Sequence, residues 1–121
     1  QLRERIERLA EDLERWLPDA PPSLLHGDCW SGNVLTTPQG PALIDPAIYC
    51  HYPEVDLAML TLFGSPGEAF FDAYWNGEAP TDWPRREALF QLYPLLNHLL
   101  LFGAGYCSAV ERSVARVESF A

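Results

Sequence analysis

The sequence predicts an α+β domain that is mostly α-helical and carries one small β-hairpin. Three observations predict it. Apolar residues recur at three- and four-residue steps near both ends of the chain, from Leu2 to Leu17 and from Leu89 to Phe120. Between them, Val34-Leu35-Thr36 and Ala42-Leu43-Ile44 flank a Thr37-Pro38-Gln39-Gly40 turn, in which Pro sets φ and Gly supplies a positive-φ position. The chain has 121 residues, 48% of them hydrophobic, which suffices for one compact core, so residues 1–121 are read as a single domain.

Leu2, Ile6, Leu9, Leu13 and Leu17 mark one face of a first helix. On its other face Glu4 and Arg8, and Glu11 and Arg15, are spaced to pair across one turn, each pair worth roughly a few tenths of a kcal/mol. Pro18-Asp19-Ala20-Pro21-Pro22 ends that helix. Ser23-Leu24-Leu25 and Asn33-Val34-Leu35-Thr36 read as short buried strands on either side of a polar loop, and Pro41-Ala42-Leu43-Ile44-Asp45 as the strand that returns. Residues 48–53 read as loop. Glu54 to Phe63 reads as a helix with acids in its first turn, where the N-terminal end of the dipole favours them, and Gly64 stops it. A further helix is expected over 67–75. Trp83-Pro84 opens the longest helical stretch, with Leu89, Leu92, Leu96, Leu99 and Leu100 on one face and Pro94 within it. Val110, Val114, Val117 and Phe120 mark a last amphipathic helix.

The charge narrows the function classes. A net charge of −9 argues against nucleic acid as a partner, because phosphate backbones are held by clustered Lys and Arg. All eight basic residues are Arg. The three cysteines, Cys29, Cys50 and Cys107, are odd in number and widely spaced, so free thiols are expected rather than a zinc site or a disulfide framework. No apolar run is long enough to span a bilayer, and Gln1 to Arg15 is too charged for a signal peptide. A cytoplasmic protein with no membrane partner is expected. The start at Gln1, already inside a helix, suggests a piece of a longer polypeptide.

The chemistry sits in His26-Gly27-Asp28-Cys29-Trp30-Ser31-Gly32-Asn33. Phosphoryl transfer needs a carboxylate to orient the attacking hydroxyl and take its proton, and oxygen ligands to hold Mg²⁺. Protein kinases write that loop as H-R-D-x-x-x-x-N, and here it reads H-G-D-C-W-S-G-N. Asp28 is the candidate base. Asn33 and Asp45 are the candidate metal ligands, brought together because antiparallel pairing sets the first residue of one hairpin strand opposite the last of the other. His26 is expected to hold the loop by hydrogen bonding. Asp56 is either a partner of its own helix dipole or an acceptor for the loop's backbone N–H groups. Trp30 is a candidate substrate contact, and His98, beside Asn97 on an apolar helix, a core or groove residue. Gly103-Ala104-Gly105 lacks the third glycine and the preceding strand of a nucleotide-binding loop, and fits close helix packing. Kinases hold the ATP phosphates with a strand Lys and a glycine-rich loop placed before the catalytic loop. This chain has no Lys, and only a helix precedes His26.

His26-Gly27-Asp28-Cys29-Trp30-Ser31-Gly32-Asn33, Leu43-Ile44-Asp45-Pro46-Ala47, Glu54-Val55-Asp56-Leu57-Ala58-Met59 and Gln91-Leu92-Tyr93-Pro94-Leu95-Leu96-Asn97-His98 together resemble the fructosamine kinase (ketosamine-3-kinase) family of aminoglycoside phosphotransferase-like kinases. The resemblance runs from about Leu24 to Tyr106 and implies part of a protein-kinase-like C-terminal lobe. It implies ATP and Mg²⁺ as cofactors, a small-molecule or protein-bound ketosamine as substrate, and an N-terminal, ATP-binding lobe as the missing partner. Asp28 would then be the base, with Asn33 and Asp45 the metal ligands. Cys29, where the family tends to carry Leu, and Cys50-His51-Tyr52-Pro53 depart from its pattern. The alternatives are another aminoglycoside- or choline-type phosphotransferase, a hydrolase binding a transition metal through His26, Asp28, Asp45 and His51, and a non-catalytic helical interaction module.

Overall fold

A computed structural model describes residues 1–120. Its elements in chain order are α1 (Leu2–Glu11), α2 (Leu13–Trp16), β1 (Ser23–Leu25), β2 (Val34–Thr37), β3 (Gly40–Leu43), β4 (Tyr49–His51), α3 (Glu54–Leu62), α4 (Glu68–Trp75), α5 (Trp83–Phe102) and α6 (Cys107–Glu118). Short 3₁₀ turns at Ser31–Asn33 and Ala104–Tyr106 lead into β2 and α6. The mostly helical α+β reading holds.

The core is built around α5. Ala88, Leu89, Leu92 and Leu95 of that helix pack with Val110, Val114 and Val117 of α6 and with Leu9 and Trp16 from the first two helices. Each fully buried Leu or Val there contributes about 1.5–3 kcal/mol through surface withdrawn from water. Polar bonds fix the register between helices. Ser113 Oγ donates to the Ala88 carbonyl at 3.3 Å. Gln91 Nε2 donates to the Ala58 carbonyl at 3.1 Å and to Thr61 Oγ1 at 2.9 Å, tying α5 to α3. Arg86 spans Glu54 on α3 (2.8 Å) and Asp82 (2.8 Å). Its guanidinium, bonded to Asp82, holds that carboxyl below its usual range.

Two two-stranded antiparallel sheets carry the loops. β2 and β3 form the expected hairpin, with Val34 opposite Leu43 and Thr37 opposite Gly40. Thr37 Oγ1 donates to the Gly40 carbonyl at 2.6 Å and closes the turn. β1 pairs with β4, Ser23 against His51 and Leu25 against Tyr49.

Several local expectations are corrected. Residues 48–53 are not all loop, since β4 lies within them and supplies the partner that β1 needs for its backbone groups. The strands are not buried throughout: Leu25 is, whereas Leu24, Leu35 and Leu43 are exposed. The first helix is interrupted at Asp12, whose φ of −95° and ψ of 5° leave the helical region. That break separates Glu11 from Arg15, and Arg15 pairs with Asp12 at 3.4 Å. Glu4 turns back to the amino end of its own helix, so Glu4–Arg8 does not form either, and Arg3–Glu7 at 2.8 Å takes the i,i+4 place. α6 ends at Glu118, leaving Phe120 outside it and exposed.

Candidate active site

The loop between β1 and β2 is held by backbone bonds from three directions. The Asp56 carboxylate, in the first turn of α3, accepts the N–H of His26 at 2.8 Å and of Gly27 at 3.0 Å. Asp56 thus meets both readings open in the sequence, beside the positive end of its own helix and bonded to the loop. The His26 carbonyl accepts the N–H of Ala47 at 2.8 Å. The His26 ring lies between two backbone groups, Nε2 to the Ile44 carbonyl at 2.7 Å and Nδ1 to the N–H of Asp28 at 3.2 Å. A carbonyl can only accept and an amide N–H can only donate, so Nε2 donates to Ile44 and Nδ1 accepts from Asp28.

Gly27 cannot be another residue here. Its φ is +87°, and a Cβ would stand 1.8 Å from the Ala47 carbonyl oxygen. The crossing of the two loop backbones at this point brings the segment after β3 beside the loop after β1.

Asn33 is 6% exposed and its amide nitrogen bonds twice to Asp28, to the carbonyl at 2.9 Å and to Oδ2 at 3.2 Å. One Asp28 oxygen is therefore oriented by Asn33, while the residue opens onto the groove described below. The Ile44 N–H donates to the Asn33 carbonyl at 3.0 Å, extending the hairpin one pair beyond β2 and β3, so Ile44 rather than the expected Asp45 stands opposite Asn33 and Asp45 follows one residue on. Asp45 is exposed, with no hydrogen bond or ion pair among the described residues, and its φ is +50°. Left-handed backbone at a non-glycine residue costs of order 1–3 kcal/mol and concentrates at functional sites.

Trp30 lies over Gly32 and meets Phe63 edge-on at 6.5 Å, and is 39% exposed. Cys29 points inward. Burial first, then the nearby charges of Asp56 and Asp28, push its thiol up to about 11, so it stays protonated at neutral pH and is no nucleophile. Cys50 is exposed on β4, and all three cysteines are free.

A groove of about 800 Å³ starts at Gly27 and Asp28 and runs between the first helices and α5. Tyr49 and His51 line it from β4, Tyr93, Asn97 and His98 from α5. His98 bonds through Nδ1 to the Pro94 carbonyl at 2.7 Å and packs against Phe63 and Tyr106 at 5.1 and 5.2 Å. The sequence reading missed Tyr49, His51 and Tyr93 as groove residues. Tyr93 and Asn97, polar side chains four apart among the leucines of α5, were the available signal.

The hydrolase alternative loses its ligand set. Among the described residues no three His, Cys, Asp or Glu side chains cluster to hold a metal ion, and His51 instead packs against Tyr52 and Phe90.

A helical domain presenting such a loop between β1 and a β-hairpin is kinase-like in fold. The crystal structure of a candidate fructosamine-3-kinase from Thermobifida fusca superposes with a TM-score of 0.87 at 37% identity, covering 96% of this chain and 41% of that one. Probable ketoamine kinase YniA of Escherichia coli K12 is 39% identical over 113 residues, 93% of this chain and 39% of the relative. Probable ketoamine kinase TTHA1179 of Thermus thermophilus is 39% identical over 119 residues, 93% of this chain and 45% of the relative. The fructosamine kinase family profile matches residues 1–119. The chain belongs to the fructosamine kinase family, and it spans about two fifths of the length of these relatives.

Proposed function

We propose that the protein is an ATP-dependent phosphotransferase that phosphorylates the sugar 3-hydroxyl of a ketosamine, free or protein-bound, as a step of deglycation. The observation that carries this reading is the bond from Asn33 Nδ2 to Asp28 Oδ2, on a loop whose hairpin leads to Asp45, a carboxylate with no hydrogen bond or ion pair among the described residues. It gives the base a fixed orientation and leaves the Asn33 amide oxygen free. In the reaction the sugar hydroxyl approaches Asp28 from the groove and gives up its proton to the carboxylate. Its oxygen bonds to the γ-phosphorus as the bond to ADP breaks.

The donor set suits Mg²⁺, a hard cation that prefers carboxylate and amide oxygens. Asn33 Oδ1 and the Asp45 carboxylate would hold it, and when bound it neutralises charge on the phosphate oxygens. His26, Asp56 and Gly27 keep Asp28 in place. Trp30, partly exposed on the same loop, is the proposed substrate contact. A strand Lys and a glycine-rich loop, absent from these 121 residues, would come from an N-terminal lobe.

The test is incubation of the intact protein with Mg·ATP and fructose-lysine, with the product examined by ³¹P and ¹³C NMR. Phosphate on the sugar O3 is expected. Phosphorylation of choline or an aminoglycoside in its place, or of no alcohol at all, overturns the reading.

A further inference from the structure

A second cavity, of about 350 Å³, lies among α3, α5 and α6 and shares no lining residue with the groove at Asp28. Leu62, Leu95 and Ala109 give it apolar walls, and Tyr106, Arg112 and Arg116 bring polar groups to it. Arg112 and Arg116 stand four residues apart on α6, on one face of that helix. Among the described residues no carboxylate lines the cavity, although the chain carries more than twice as many acids as bases.

Arg112 is set apart from most arginines in this chain. Arg3, Arg5, Arg15, Arg85, Arg86 and Arg116 all have acidic partners. Arg112 has no ion pair or hydrogen bond among the described residues. Arg116 is engaged from outside the cavity, its Nη2 bonded to Glu87 at 2.5 Å. The cavity therefore presents one free guanidinium fork and one shared one over apolar walls.

That chemistry selects its ligand. A guanidinium fork matches a carboxylate in two-point contact. The apolar walls require a hydrocarbon body on that carboxylate, and the volume lies in the range of small-molecule sites. A net charge of −9 disfavours polyvalent anions. We propose that this cavity binds a monocarboxylate with an apolar body, a medium-chain or aryl acid, with its carboxylate on Arg112.

The test is calorimetry on the intact protein with octanoate, octanamide and acetate. Octanoate is expected to bind, and the amide and acetate at least roughly tenfold more weakly, because each lacks one half of the match. Arg112→Gln, at an exposed position, should weaken octanoate about tenfold or more. Glu87→Gln should strengthen it by releasing Arg116. Equal binding of octanoate and octanamide, an Arg112→Gln variant with wild-type affinity, or no octanoate binding up to its solubility overturns the site. No gain from Glu87→Gln overturns the part assigned to Arg116.

Discussion

The roles proposed for Asp28 and its neighbours fall on single side chains, and each can be measured. In the intact protein Asp28→Asn should lower kcat by roughly 10²–10⁴, the usual yield of a positioned general base, with little change in affinity for ATP. Wild-type turnover by the folded variant would rule Asp28 out. Asp45→Ala should cost more activity than Asn33→Ala, because it removes a charge as well as a ligand facing the cation. Rescue should run the other way. Excess Mg²⁺ should restore part of the Asp45→Ala loss and less of the Asn33→Ala loss, since Asn33 also bonds Asp28. A Mg²⁺ titration of both variants decides, and equal losses with equal rescue would remove the distinction. That Asn33 lies beside Asp28 was legible, because residue type and spacing on one loop pointed to one place. The amide bond from Asn33 to Asp28 was not, because five-residue spacing does not say which way a side chain turns.

At the scale of elements, the loop is fixed by α3 and by the backbone crossing at Ala47 more than by its own sequence. Asp56 accepts two half-buried loop amides at once. Asp56→Ala leaves both without a partner and should destabilise the fold by about 1–2 kcal/mol, the lower part of the usual cost of orphaned polar groups. Asp72→Ala, at an exposed position on α4, should change stability by less than about 0.5 kcal/mol. Urea unfolding of the two variants tests this, and equal midpoints would show that Asp56 contributes no more than a surface acid. The helices and the β2–β3 hairpin were readable from periodicity and turn chemistry. β4 was not, because Tyr49-Cys50-His51 is three residues long, exposed and next to Pro53, so no alternation marks it. The need of β1 for a partner was the signal, since a strand cannot satisfy its backbone groups alone. The break at Asp12 was hidden for another reason. The apolar spacing of Leu9, Leu13 and Leu17 continues across it in the sequence, whereas in the structure Leu13 is exposed and Trp16 takes the buried place beyond the break.

Across the whole molecule, charge and exposed apolar surface set what these 121 residues can do by themselves. Asp28 and Asp45 are both acidic, the net charge is −9, and no Lys is present to meet a triphosphate. Nucleotide approaching the bare site is repelled unless Mg²⁺ bridges the two. Apolar side chains are also exposed on opposite sides of the chain's sequence. Leu24, Leu43 and Ile48 lie along the two small sheets, and Tyr93, Leu100, Leu101 and Phe102 along α5, with Leu100 83% exposed. Exposed apolar surface drives association in water where such side chains adjoin. The 121-residue chain on its own should therefore have no ketosamine kinase activity and should self-associate as its concentration rises. Its affinity for Mg·ATP should be millimolar or weaker, about 4 kcal/mol of binding free energy at most. Calorimetry with Mg·ATP, a fructosamine phosphorylation assay and sedimentation on this chain would measure all three. Micromolar nucleotide binding or turnover would mean that the arginines of the helical part assemble a phosphate cradle that neither their ion pairs nor their positions around the groove suggest.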